Sequence, residues 1–176
     1  LPMLPDTLWR ACSMSKFITA IAAMMLYEEG ALLLSDPVSK YIPEFKDPKI
    51  LKNFNEVYSS FIFTRGENEI TIRHLLTHTS GLGYGAIDSD ERIKKIYAKA
   101  GITELFTEEE VRIGENVKKF AVLPLHHEHG EKFTYSLGLD VLGYFIEVIS
   151  GQGFDEFLKE RIFDPLQMDD TRFYQP

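Results

Sequence analysis

The stretch "WRACSMSKFITAIAAMMLYEEG", residues 9–30, decides how the rest of this sequence is read. From Phe17 to Leu26 it is apolar almost all round, with Thr19 the one hydroxyl, the pattern of a helix covered by neighbours on every side. Gly30 can take the left-handed backbone angle that closes such a helix. Yet the head carries Cys12, Ser13, Ser15 and Lys16, groups that a core helix avoids. Ser13 and Lys16 form S-x-x-K, and residues three apart on a helix share a face, with β-carbons about 5–6 Å apart. A serine hydroxyl is a poor nucleophile until a base stands beside it, and an amine can be that base where burial disfavours its charge. The helix N-terminus adds free backbone N–H groups and a positive dipole end, suited to a developing negative oxygen. An N-cap serine beside a snorkelling lysine explains the same residues, and the motif alone leaves both readings open. Ser15 adjoins Lys16 and points elsewhere. Cys12 is either a thiol nucleophile or the small buried hydrophobe that cysteine more often is.

The totals bound what this head can belong to. With 176 residues, 44% hydrophobic and 26% charged, the chain has the size and composition of one soluble domain with a real core. A net charge of −8 from 19 basic and 27 acidic residues excludes the basic face of a nucleic-acid binder. The doublets Lys94-Lys95 and Lys118-Lys119 lie among acidic neighbours and read as solvated helix faces. A single cysteine rules out an internal disulfide and leaves the redox compartment open. The run from Phe17 to Tyr27 is far short of the roughly 20 residues of a membrane span. No signal peptide is visible, and a chain opening at Leu1 leaves room for a leader that has been processed or is missing.

With the opening helix included, the sequence predicts six or seven helices and one short hairpin. "SDPVSKYIPEF" places Asp36 at an N-cap and Pro37 at the first position of a short helix. "SSFIFTRGENEITI" reads as strands near 60–64 and 69–71 joined over Gly66 and Asn68. Thr71 caps a short helix through "IRHLLTH", and "GLGYGA" (81–86) is a glycine-rich loop. A charged helix runs from Asp88 to Lys99, closed by Gly101. Thr107 with Glu110 forms a capping-box pattern for a helix reaching Pro124. Leu139–Ile149 is a second helix apolar nearly all round, closed by Gly151, and "FDEFLKERIF" ends before Pro165. Two such apolar helices need more cover than these charged elements supply, so a further layer, a sheet, is expected beyond them.

Three blocks carry a family resemblance. "TLWRACSMSKFITA", "TIRHLLTHTSGL" (71–82) and "FTYSLGLDVLGYFIEVISGQGFDEFLKERIFDPLQMDDTRF" (133–173) together resemble the serine β-lactamase and penicillin-binding-protein superfamily, and among it the class C β-lactamases and related esterases. The resemblance implies an α+β, β-lactamase/transpeptidase-like fold. The chain then covers mainly its helical part, residues 1–176 forming one partial domain with most of the antiparallel sheet missing. It implies Ser13 as the acylated nucleophile, Lys16 as its base partner and Tyr135 of "YSL" as the tyrosine of the second motif. A phenol beside a cationic lysine titrates lower and can relay the serine's proton to a leaving group.

Two departures shape the expected function. Leu137 stands where amide-recognising members carry an asparagine, and leucine cannot hydrogen-bond to a substrate amide. As a substrate-binding position it therefore favours the esterase and transesterase branch. The third motif, Lys/His/Trp-x-Gly on a downstream strand, is absent, so segments before Leu1 and after Pro176 are expected to complete the sheet and the oxyanion hole. The resemblance thus implies acyl-enzyme chemistry on a small-molecule ester or β-lactam-like substrate, with backbone N–H groups, one of them from Ser13, receiving the oxyanion. A β-lactamase or D-Ala-D-Ala carboxypeptidase acting on amides, and a non-catalytic member of the fold, are the alternatives. It implies no cofactor and points to a periplasmic or secreted bacterial setting, leaving a cytoplasmic one open.

The histidines add little to this. His74 and His78 stand four apart but lack the glutamate of H-E-x-x-H, so cap and packing roles are expected, with no metal. "HHEHG" (126–130) could bind a metal adventitiously, but the resemblance places it in a surface loop before the tyrosine motif. "SGLGYG" neither follows a strand nor opens a helix as a phosphate loop does, and nothing in the sequence requires Tyr84 to line a pocket.

Overall fold

The computed structural model describes residues 2–4, 7–55, 60–105, 107 and 109–173. A 3-10 turn over Cys12–Met14 leads into α1, Ser15–Glu28. Gly30 follows at φ 74°, the left-handed angle expected of it. Only one stripe of α1 is buried, Thr19, Ala22, Ala23 and Leu26, the i, i+3, i+4, i+7 spacing of a single helix face. The small alanines let α1 lie close on the central helix. On the other side Phe17 is 74% and Ile21 54% exposed, so the cover expected on every side of α1 is absent among the described residues.

The segment after α1 departs from its expected cap. Asp36 caps no helix. Its carboxylate takes the Leu33 N–H, the Tyr41 hydroxyl at 2.6 Å and Lys40. Pro37 is extended and bridges to Thr71, so only 3-10 turns form at Val38–Lys40 and Pro43–Phe45.

The hairpin is real but differently paired. Strands β1 (Lys49–Asn55) and β2 (Ser60–Arg65) run antiparallel, Lys49 opposite Arg65 and Asn55 opposite Ser60. Residues 69–71 are not its second strand. Ile70 accepts the Val38 N–H at 2.8 Å and Thr71 bridges to Pro37, so this segment is engaged elsewhere. Lysine-rich β1 hides its strand character because Ile50, Leu51 and Phe54 face inward while Lys52, Asn53 and Asn55 are exposed. Its other side exchanges hydrogen bonds with Leu125.

Helix α2, Ile72–Leu76, starts where expected, with Thr71 and His74 in a reciprocal capping box. Helix α3, Glu91–Lys99, begins later than Asp88 because the Asp88 carboxylate holds Tyr84 N–H and His126, leaving Asp90 as the N-cap. Helix α4, Ile113–Ala121, is shorter than predicted. Thr107 accepts from Glu109 N–H in a local turn rather than opening a helix.

Helix α5, Gly138–Ser150, matches its prediction and ends at Gly151, φ 72°. It is the hub on which α1, α2, α4 and α6 (Phe154–Leu158) pack; a π-helical turn, Lys159–Phe163, continues α6. Leu139, Val141, Leu142, Phe145 and Ile146 of α5 are buried, and Phe145 meets Tyr41 edge-on at 4.8 Å. The described fold is therefore α+β, six α-helices with α5 at their hub and a two-stranded antiparallel sheet.

Candidate active site

Two stretches of loop bring distant residues to the head of α1. The chain after α2, residues 78–83, runs against residues 126–137. Gly130 N–H donates to Thr79 O at 2.7 Å, His126 N–H to Gly81 O at 2.8 Å and Leu137 N–H to Gly83 O at 3.1 Å. Gly81 makes this approach possible. It sits at φ 81°, and a β-carbon there would lie 2.4 Å from the His127 carbonyl oxygen. The far side of the glycine loop is tied down by Asp88, whose carboxylate accepts the Tyr84 N–H at 3.0 Å and contacts His126 Nε2 at 2.8 Å.

The result is a cluster at the exposed hydroxyl of Ser13. Tyr135 O–H donates to Ser13 Oγ at 2.7 Å, and Lys16 Nζ lies 3.4 Å from the same oxygen. Lys16 Nζ stands 5.1 Å from the centre of the Tyr135 ring and 5.4 Å from that of Tyr84, within reach of cation–π attraction to both. The Tyr84 ring stacks on Tyr135 with centroids 5.7 Å apart and planes 4° from parallel. His78 also packs on Tyr135, at 4.9 Å. Ser15 turns away, as expected, donating to Cys12 O at 2.6 Å.

The electrostatics of the cluster are divided. Burial, and to a lesser extent the Asp140 carboxylate, raises the Tyr135 phenol, but hydrogen bonds to Ser13 and Lys16 together with the lysine's charge outweigh them, so Tyr135 titrates below an ordinary tyrosine. Tyr84 goes the other way. Burial, then the nearby Asp140 carboxylate, pushes it up to about 12. Asp140, in the first turn of α5, is itself raised by burial, which the charge of Lys16 only partly offsets. Glu104 is raised by burial and accepts the Ala86 N–H at 2.6 Å. Of the two stacked phenols, the one on Ser13 therefore gives up its proton more readily.

Three of the four residues singled out in the sequence, Ser13, Lys16 and Tyr135, meet here. Leu137 does not join them at the surface. It is 2% exposed, in the core, where it precedes the first turn of α5. Cys12, for which burial is the commoner fate, is exposed and at φ 47°. Sequence reasoning gave His78 only a cap or packing role, did not require Tyr84 to line a pocket, and passed over Asp140. Asp140 left a trace, as the one carboxylate in the apolar run "LDVLGYF", whereas the ring contacts of His78 and Tyr84 depend on pairing across more than fifty residues. Of the other histidines, His74 caps α2, His127 bonds Thr134 at 2.8 Å, and His129 lies beside His74.

The fold is of the β-lactamase and transpeptidase class, and the chain holds the helical part of it. The chain belongs to the Beta-lactamase family, which matches it over residues 1–176. It is 36% identical over 172 residues to esterase EstB of Burkholderia gladioli, covering 98% of this chain and 40% of that protein. Lovastatin esterase of Penicillium rubens is 34% identical over 171 residues, covering 97% of this chain and 40% of its own length. Among solved structures, EstCE1, described as a hydrolase with promiscuous acyltransferase activity, superposes with a TM-score of 0.76 at 30% identity, covering 94% of this chain and 39% of that one. The chain thus spans about 40% of the length of the curated relatives it matches.

Proposed function

We propose that this chain carries the nucleophile and proton-handling groups of a serine hydrolase that transfers acyl groups from small-molecule esters. The observation that supports this most is one oxygen, Ser13 Oγ, held by Tyr135 at 2.7 Å and Lys16 at 3.4 Å at the head of α1. When Tyr135 is deprotonated beside Lys16, the bond to Ser13 reverses and the serine O–H donates to the phenolate. Ser13 Oγ then attacks the ester carbonyl, its proton passing to Tyr135. The tetrahedral oxyanion rests on backbone N–H groups, that of Ser13 among them. Collapse breaks the bond to the alkoxy group, which leaves as an alcohol with the proton from Tyr135. Water, or a second alcohol, repeats the sequence on the acyl-enzyme with Tyr135 again accepting a proton.

Relatives named as esterases support ester substrates. We take residues 1–176 as one partial domain. The exposed α1 face bearing Phe17 and Ile21 is where the remaining layer of the fold packs.

The test is labelling of the full-length protein with a serine-reactive fluorophosphonate, read by intact mass, with turnover of an aryl ester set beside a cephalosporin. One probe on Ser13 and preference for the ester are expected. Cephalosporin turnover exceeding ester turnover would move the assignment to amide chemistry. Ester turnover undiminished by Ser13→Ala would remove the nucleophile, and the absence of both labelling and turnover would leave a non-catalytic member.

A further inference from the structure

We propose that His78 is the positioning residue that sets the pose of Tyr135 against Ser13, by holding the tripeptide Thr134–Tyr135–Ser136 at three points. This rests on the reading of Tyr135 given above. The backbone on either side of the tyrosine is tied to the same histidine. Thr134 N–H donates to the His78 carbonyl at 2.8 Å, and Ser136 N–H donates to His78 Nδ1 at 3.2 Å. Between these two bonds the imidazole lies on the Tyr135 ring itself, centroids 4.9 Å apart and planes 30° from parallel. Phe133 packs on the same imidazole at 5.6 Å. A residue fixed before, at and after its side chain has little freedom left to swing from Ser13.

The local backbone of His78 is built for this task. It stands at φ 53°, a left-handed angle uncommon for any residue with a β-carbon. Its N–H closes the end of α2 on Leu75 O at 3.3 Å, and the left-handed turn presents both its carbonyl and its ring to the incoming chain. Nδ1 accepts a backbone N–H, so the imidazole proton resides on Nε2 and the ring is neutral. Ser136 Oγ, 3.2 Å from the same Nδ1, receives the Gly138 N–H at the start of α5, which joins the hold to the central helix.

The arrangement is sensitive to acid. The titratable groups facing His78 are Lys16 on α1 and Tyr135, with Tyr84 stacked behind the latter. Burial, then repulsion from Lys16, holds His78 below the ordinary histidine value. A proton on Nδ1 would face the Ser136 N–H donor to donor and add a second positive charge beside Lys16. The Ser136 point of the hold is therefore lost as pH falls through the His78 value, loosening the pose of Tyr135.

Ester kinetics of the full-length protein test this, with Ser13→Ala as the reference for the site as a whole. His78→Leu cannot accept from Ser136, and its kcat is expected to fall about 10- to 100-fold with KM little changed, the scale of a misplaced catalytic group. His78→Asn tolerates the left-handed angle and presents Oδ1 to Ser136 N–H, so it should recover most of kcat while losing the acid-limb ionisation. A folded His78→Leu with wild-type kcat, or a His78→Asn that keeps the wild-type acid limb, overturns the proposal. So does a loss of activity in both variants that merely tracks thermal stability. Should His78→Leu not fold, the pH profile of His78→Asn decides alone. Activity surviving in Ser13→Ala would instead bring down the reading of the site.

Discussion

Tyr135 and Ser13, 122 residues apart in sequence, share a hydrogen bond of 2.7 Å at the head of α1. It joins the segment before α5 to the segment before α1, and the two helices it precedes are themselves packed together. The head of α1 is polar because it meets this second polar segment, while the body of the helix meets α5.

Replacing Tyr135 by phenylalanine keeps the ring stack and removes the proposed proton relay. The expected result is a kcat lower by about 100-fold or more, the usual scale of a lost general base. In the wild type, the proposed mechanism, with the phenolate as the active form, has activity rise with pH toward a Tyr135 value below that of free tyrosine. The phenylalanine variant should lose that limb. An unchanged alkaline profile in Tyr135→Phe would reassign the base.

Gly81→Ala should destabilise the protein and impair the site together. The new β-carbon would stand 2.4 Å from His127 O, at a backbone angle of φ 81° that alanine resists. A cost of about 1–3 kcal/mol is expected from urea unfolding, with a matching fall in ester kcat as residues 126–137 shift. A variant as stable and active as wild type would show that this loop approach is not needed.

Phe145→Ala probes the hub. The side chain is fully buried on α5 and edge-on to Tyr41, so its loss should cost about 3–5 kcal/mol in equilibrium unfolding. A loss below about 1 kcal/mol would mean that the surrounding helices close over the cavity.

Asp90 gives a pH-dependent stability with a defined sign. The Arg92 side chain holds its carboxyl below the ordinary value, against a smaller opposing effect of burial. Its contribution is present above the unfolded carboxylate value near 3.8 and lost as pH falls through the lower folded value. Asp90→Ala also loses the cap to Arg92 N–H, about 1 kcal/mol. Asp90→Asn keeps a cap, and its stability deficit should shrink toward zero below about pH 3.8. A deficit independent of pH would assign the effect to the cap alone.

Local signals were read well from the residues. Gly30, Gly101 and Gly151 take left-handed angles of 74°, 64° and 72° after helices, and Thr71 caps α2, because such roles depend on a few neighbouring residues. The hairpin partner was misread because pairing is non-local. Residues 69–71 alternate as a strand should, yet Pro37 and Val38 take up their backbone groups while lysine-rich β1 pairs with β2. The start of α4 moved for a local reason instead, Thr107 closing a turn on Glu109 N–H rather than a capping box.

By itself the sequence determined the chemistry available: S-x-x-K at the head of an apolar helix, a tyrosine ahead of a second apolar helix, and a resemblance that linked them. Residue types and spacings within one helix are written in the chain, since i and i+3 share a face whatever surrounds them. Only the tertiary structure decided that Tyr84 stacks on Tyr135, that Leu137 lies in the core, and that His78 grips the chain on both sides of Tyr135. Those outcomes depend on burial, stacking and charge between segments tens of residues apart, which exist only once α1, α2 and α5 have packed.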